Sequence, residues 1–291
     1  MAYPTGTLDS TALATTINKI WSGSAINDFF KVELDKVIGF WTDYSSLVQN
    51  GGDTLHIPNL IEMTAYQKST ATTLTLSNPT NTETQLQINQ WWYVAFNIED
   101  MQSKQVLQAY VIQEKMIRNA AYTVAYKLAT DLMSLYASLT TTVGTSTTAI
   151  VDSTIRYSAA VLDNNKIPKS DRRWFISPYA FWNQVMALDR FVLAINNGDV
   201  YSPVTGPVGG VGQIYGDFVV ATPLVVLTST NTVAHNIYAY KEAFCFAKTF
   251  LRLQSQYKLE YLSTLSVADV LYGVACQRTN AGVHVISTSG Q

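Results

Sequence analysis

Arg172-Arg173-Trp174-Phe175-Ile176-Ser177-Pro178 joins a strand directly to a helix. Trp174-Phe175-Ile176 is a short run of β-preferring apolar residues. Ser177-Pro178 then supplies an N-cap and a proline at the first helical position, and Phe181, Val185 and Leu188 recur on one face of the helix that follows. Upstream, Asp152 or Ser153 is placed to cap a short helix whose Ile155, Ala159 and Leu162 share a face. Downstream, a Gly- and Pro-rich stretch from Asn196 to Gly216 leads into strand segments Phe218-Val219-Val220 and Leu224-Val225-Val226-Leu227. Residues from about 146 to 240 therefore read as a compact α/β region.

The flanking chain is built differently. From Asp100 to Val143 there is neither Gly nor Pro, and Leu107, Tyr110, Ile117, Ala121, Val124, Leu128, Leu132, Leu135 and Leu139 recur near the helical period. This predicts one continuous helix of about 36 residues, roughly 54 Å long, ended by Gly144 and the Thr-rich run around it. Before it, Leu55, Ile57, Ile61 and Met63 alternate with Thr54, His56, Pro58 and Glu62, residues 66 to 85 are almost wholly polar, and Trp92, Val94, Phe96 and Ile98 form the apolar face of another strand. The two strands predict one long hairpin over 51–98. Two strands alone bury too little surface to stand by themselves, so the hairpin is expected to lie on a neighbour. Trp91 and Tyr93 occupy its opposite face, where they either build a second core layer or project outward. Residues 1–50 read as an extended arm with short helical pieces at Ile17, Ile20 and Trp21 and from Phe29 to Ile38. In the last part, Leu251, Leu253, Tyr257, Leu259 and Tyr261 alternate with polar residues in a long amphipathic strand, and the long helix is the candidate to cover it.

Charged residues are only 14% of the 291-residue chain, while 47% is hydrophobic and 12% aromatic. A compact monomer of 32.2 kDa exposes roughly 12,000 Å², so the formal charges average about one per 300 Å². Surfaces that stay monomeric carry more charge than this, which points to extensive contact with other subunits. The net charge of −2 does not suit a strongly basic nucleic-acid-binding domain. The first cation is Lys19 and no run of eighteen apolar residues occurs, so neither a secretory leader nor a spanning helix is expected. Synthesis in the cytosol follows as the expectation. Cys245 and Cys276 lie in apolar stretches and read as buried free thiols.

Groups for catalysis are scarce. The three histidines, His56, His235 and His284, show no metal-ligand spacing among themselves, and no metal or other cofactor is expected. There is no Gly-x-Ser-x-Gly elbow. Gly209-Gly210-Val211-Gly212 follows Pro203 and Pro207 and leads into a strand rather than a helix, so its glycines serve turns and not a dinucleotide. Lys68, Lys169 and Lys248 precede Ser or Thr but lack the glycine loop of a nucleotide-binding site. Asp171-Arg172-Arg173, the densest charge cluster, has two readings: a solvated turn, or a contact across a subunit boundary in which arginine grips a carboxylate. Lys68, with Tyr66 near the hairpin tip, likewise reads either as solvated or as a cross-linking partner for a neighbouring Asn.

The succession Ile167-Pro168, Arg172 to Pro178, and Gly206 to Gly216 with Val219-Val220 resembles the major capsid proteins of tailed bacteriophages, and the order of elements agrees. The resemblance implies an α+β fold of the Hong Kong 97 type. It divides the chain into an N-terminal arm (1–50), an extended E-loop hairpin (51–98), a P-domain spine helix (99–145), an α/β A-domain (146–240), and P-domain strands with the C-terminus (241–291). It implies a structural, non-enzymatic protein that assembles with itself as pentamers and hexamers into a closed icosahedral shell. Separate scaffolding and portal proteins are expected as partners. Packaged double-stranded DNA would lie on the inner face without sequence-specific binding, no membrane is involved, and the location is the virion capsid after synthesis in the host cytoplasm. The expected subunit contacts are Tyr66, Lys68 and Trp91 of the hairpin, Asp171, Arg172 and Arg173, and the axis-proximal loops 196–212 and 228–235 with Asn197, Gly209, Gly210 and His235. An encapsulin-like cellular compartment shares this fold. A soluble α/β hydrolase with His56, His235 or Asp171 lining a cleft is the alternative from another class.

Overall fold

The computed structural model describes residues 34, 36–48, 52–59, 63–74, 76, 82–100, 109–188, 211–228 and 232–289. Leu34 and residues 36–38 are helical, and Leu34 and Val37 are buried. Trp41 then stacks on Phe175 at 5.2 Å and meets Phe244 at 4.7 Å between ring centroids. This end of the arm is therefore part of the main core. After it, β1 (Thr42–Asp43) pairs in parallel with β11 (Phe244–Lys258), and the Asp43 carboxylate accepts from the Ser45 amide at 2.8 Å, starting the single-turn helix α1 (Ser45–Val48).

β11 and β12 (Ser263–Cys276) form the longest ladder in the protein, running from Phe244 opposite Cys276 to Lys258 opposite Ser263. A 3-10 turn at Leu259–Tyr261 closes it. β4 (Gln90–Glu99) joins the other edge of β12, so this sheet runs β1-β11-β12-β4. The hairpin expected over 51–98 is thereby corrected. β2 (Thr54–Asn59) returns through β3 (Thr82–Gln87), with Thr54 opposite Gln87 and Asn59 opposite Thr82, not through Trp92 to Ile98. The physical reason is that β3, Thr-Glu-Thr-Gln-Leu-Gln, carries one large apolar residue and shows no hydropathy period, whereas β4 shows a clear one because a helix covers it. Leu86, that one residue, is fully buried; with Ile57 and Ile88 it seats the hairpin on Cys245, Ala247, Leu271 and Ala275 of the long sheet.

The covering helix α2 spans Ala109–Ser134 and continues as a 3-10 turn at Leu135–Ser138. It ends before Val143, to which the continuous helix is expected to run, and residues 101–108, where that helix is expected to begin, lie outside the described residues. The β-branched run Thr140-Thr141-Thr142-Val143 prefers extended backbone, and β5 (Thr141–Gly144) pairs in parallel with β13 (Gly282–Thr288). Gly144 has φ +86°, and a β-carbon there would lie 2.2 Å from the Ile286 carbonyl oxygen, so only glycine fits.

The second sheet runs β5-β13-β10-β6-β8-β7, with β9 also on β10. Its remaining strands are β6 (Arg172–Ile176), β7 (Val211–Ile214), β8 (Asp217–Ala221), β9 (Val226–Thr228) and β10 (Val233–Tyr240). β5 and β13 thus hydrogen-bond into this sheet although the boundaries 99–145 and 241–291 group them with the spine helix and long strands. α3 (Asp152–Asn164) has Val151 at its N-cap and no side-chain cap; Asp152, expected as the cap, lies in the first turn and pairs with Arg156 at 2.9 Å. The start signal at Ser177 matches the structure: its side chain accepts from the Ala180 amide, and Pro178 opens α4 (Pro178–Ala180), which widens into a π-type turn over Phe181–Val185. Ile155, Leu162, Phe181 and Val185 cover one face of the sheet at Trp174, Val219, Tyr238 and Val283. The opposite face, with Phe175, Val220, Ile237 and Ala239, shares a core with Leu128 and Leu132 of α2. Among the described residues no helix is long and apolar enough to cross a membrane.

Candidate assembly surfaces

Residues directly opposed in an antiparallel ladder share a face, which divides the long sheet into two unlike sides. One carries Trp92, Val94, Phe96, Ala268, Val270 and Tyr272 and meets α2. The contact is fixed by polar groups as well: the Tyr272 hydroxyl donates to Asp131 at 2.6 Å, Lys127 donates to the same carboxylate at 2.6 Å, and its ammonium lies 4.6 Å from the Trp92 ring centre. Burial and the Asp131 carboxylate both push the Tyr272 phenol well above its ordinary value.

The other side carries Trp91, Tyr93, Leu265, Val267 and Asp269. The β2–β3 hairpin covers its lower end only, leaving Trp91 66% and Tyr93 68% exposed. Of the two readings of these aromatics, projection outward is what the structure shows. Trp91 keeps a defined orientation, because its indole N–H donates to Asp269 at 3.2 Å while Arg252 grips that carboxylate at 2.6 Å. Arg252 holds the Asp269 carboxyl below its usual range, and the Trp91 hydrogen bond acts in the same direction.

At the tip of the long ladder, Leu259 is 78% exposed, and Tyr261 and Leu262 are also open to solvent. The helix expected to cover the apolar side of this strand pair packs on Val270 and Tyr272. Scattered apolar residues on a surface are ordinary, but aromatics aligned along one sheet face and an exposed tip bearing Leu259, Tyr261 and Leu262 are the candidate contact surfaces.

The other expected contact residues fall into distinct classes. Tyr66 is exposed, and Lys68 donates to the Thr72 carbonyl at 2.7 Å across a turn of the segment 63–74. Asp171 is exposed. Arg172 is only 3% exposed and spends its guanidinium on the carbonyls of Ile167 and Pro168, just past the end of α3, and on Asp163 at 2.8 Å. Arg173 donates to the Lys36 carbonyl at 3.0 Å and lies over the Phe40 ring. Both guanidiniums are thus engaged within the chain, and Arg172 has no surface with which to meet a neighbour. Asn197, Gly209 and Gly210 lie outside the described residues.

His56 is exposed and lies 3.1 Å from Glu83, whose carboxyl is held below its usual range by the Gln85 hydrogen bond first and by His56 second. No group of three or more His, Cys, Asp or Glu side chains arranged to hold a metal occurs among the described residues. One cluster that sequence spacing could not reveal does occur: His235 and His284, far apart in the chain, meet at 2.8 Å between ring nitrogens. Only the pairing of β10 with β13 brings them together.

No family model matches the chain, and no curated protein matches it in sequence. Solved structures do. The capsid structure of the cyanophage P-SCSP1u is similar with a TM-score of 0.67 at 16% identity, over 93% of this chain and 93% of that one. The asymmetric unit of the bacteriophage PhiM1 mature capsid gives 0.69 at 13% identity, over 92% and 90%. The head structure of the Helicobacter pylori bacteriophage KHP40 gives 0.66 at 11% identity, over 99% and 100%. The fold of this chain is that of phage capsid subunits. Neither the cellular compartment nor the hydrolase reading is favoured by these comparisons.

Proposed function

We propose that this chain is the major capsid protein of a tailed double-stranded DNA bacteriophage, built on the Hong Kong 97-type plan and acting by assembly rather than by catalysis. The observation that carries this reading is the agreement of topology along 92% to 99% of the chain with subunits of phage capsids and heads. It is supported by the low charge density and by the bare aromatic face and tip of the long sheet. In this reading the chain divides into arm, E-loop, P-domain and A-domain, and copies associate as pentamers and hexamers. The segment bearing Tyr66 and Lys68 lies over an adjacent subunit, the Trp91–Tyr93 face and Asp171 meet neighbours, and the segments 196–212 and 228–235, the second of which joins the end of β9 to the start of β10 and is not all loop, approach the local axes. Heterologous contacts of this kind close a shell when each subunit presents several complementary patches. Scaffolding and portal proteins are the further partners. DNA is enclosed without sequence-specific grip, and the protein resides in the virion.

Electron microscopy of the purified chain under assembly conditions tests this. Five- and six-fold capsomers or closed shells are expected, and persistent monomers overturn it. Particles recovered from infected cells are expected to protect double-stranded DNA from nuclease, whereas protein cargo in its place supports the encapsulin-like alternative.

A further inference from the structure

His235 and His284 lie at the centre of a chain of hydrogen bonds that crosses four strands. Thr142 on β5 is 3.5 Å from His284 Nδ1, His284 Nε2 is 2.8 Å from His235 Nδ1, and His235 Nε2 is 2.8 Å from the Thr228 hydroxyl on β9. Tyr136, from the 3-10 turn at the end of α2, lies against both rings, with its centroid 4.3 Å from His235 and 4.7 Å from His284. The pair therefore ties the end of the spine helix to the second sheet.

The groups facing it are Tyr136 from the 3-10 turn, Thr142 from β5 and Thr228 from β9, with the two rings themselves from β10 and β13. Among the described residues neither ring pairs with a carboxylate, lysine or arginine. His284 is buried and His235 half-buried. With both rings neutral, one ring N–H donates to the other's lone pair and every bond in the chain can be made. A first added proton places a charge in a buried site with no counter-ion among the described residues. A second sets two N–H groups against each other at the 2.8 Å contact.

We propose that the His235–His284 pair is an acid-opened clasp between the spine helix and the second sheet, closed while both rings are neutral and released when both are protonated. This goes beyond the capsid reading and does not depend on it. Burial pushes His284 down to about 4, with His235 adding to the effect, and burial lowers His235 as well. Both shifts are depressions, so the opened form binds more protons than the closed one. The clasp is complete above the ordinary histidine range near pH 6.5 and weakens as pH falls from there toward 4.

Hydrogen exchange on the unassembled full-length chain tests this, read at residues 135–144, 226–228, 232–240 and 282–288 and corrected for intrinsic rates. Opening is expected to rise roughly thirtyfold between pH 7.5 and pH 5.0 for each proton that opening lets bind near pH 6.5. His235→Gln, which keeps a hydrogen-bonding side chain but cannot titrate, is expected to lose much of that rise, and His56→Gln to keep it. An equal rise in His235→Gln, or none in the unsubstituted protein, overturns the clasp. Should His235→Gln not fold, imidazole NMR of the unsubstituted chain decides: His235 and His284 titrating below the ordinary histidine range support the proposal, and both titrating near pH 6.5 overturn it.

Discussion

The carbonyl oxygen of Gln87 lies 2.1 Å from where a β-carbon on Gly273 would stand. The last residue of β3 therefore crosses β12 so closely that backbone rests on backbone, and the hairpin's angle to the long sheet is set at this crossing. Gly273→Ala is expected to force the two apart at a cost of about 1–3 kcal/mol, the usual range for overpacking. Urea unfolding of the unassembled chain measures the loss, and limited proteolysis at residues 63–74 is expected to quicken. An unchanged midpoint with unchanged proteolysis would show that the crossing is loose.

Trp41 joins the arm to both sheets through Phe40, Phe175 and Phe244. Its indole nitrogen has no hydrogen-bond partner among the described residues, so its contribution is packing. Trp41→Ala is expected to cost about 3–5 kcal/mol, seen as a lower urea midpoint.

Leu259 and Tyr261 stand at the exposed tip of the β11–β12 ladder and bury little within the chain. Leu259→Ser with Tyr261→Ser is expected to shift monomer stability by no more than about 0.5 kcal/mol per site while reducing the yield of shells in sedimentation. Full assembly of the double variant would remove the tip from the contact surface.

Burial pushes the Cys245 thiol up to about 12 and the Cys276 thiol up to about 11. Thiolate is the reactive form, so at pH 8 the native chain is expected to react negligibly with an aromatic disulfide reagent, and the urea-unfolded chain to react at both cysteines. Rapid labelling of the folded protein would contradict this burial.

The sequence made some parts of the architecture legible and concealed others for physical reasons. The strand-to-helix unit at Arg172–Pro178 reads directly because a proline after a serine cap has few other uses. β4 reads as a strand because one face is covered by α2 and the other is not, which produces alternation. β3 is invisible to the same test, since Leu86 alone anchors it. β5 is concealed by continuity: Leu135 and Leu139 extend the helical period past the residue where the backbone changes. The aromatic face at Trp91 and Tyr93 could be placed by parity alone, but whether anything covered it depended on how far the hairpin reached. The histidine pair left no trace in spacing, because the β11–β12 ladder separates β10 from β13 in the chain and only their pairing in the sheet brings the two rings together.

β10 has consequences for cooperativity. Its Tyr238 is fully buried in the core under α3, while Ile237 and Ala239 are fully buried in the core under α2. Neither core can melt without stripping one side from the strand that seals the other. The lobes are accordingly expected to lose structure in a single transition, with tryptophan fluorescence and far-ultraviolet dichroism following the same curve, and a subunit under load should tilt as one plate and not fold at its waist.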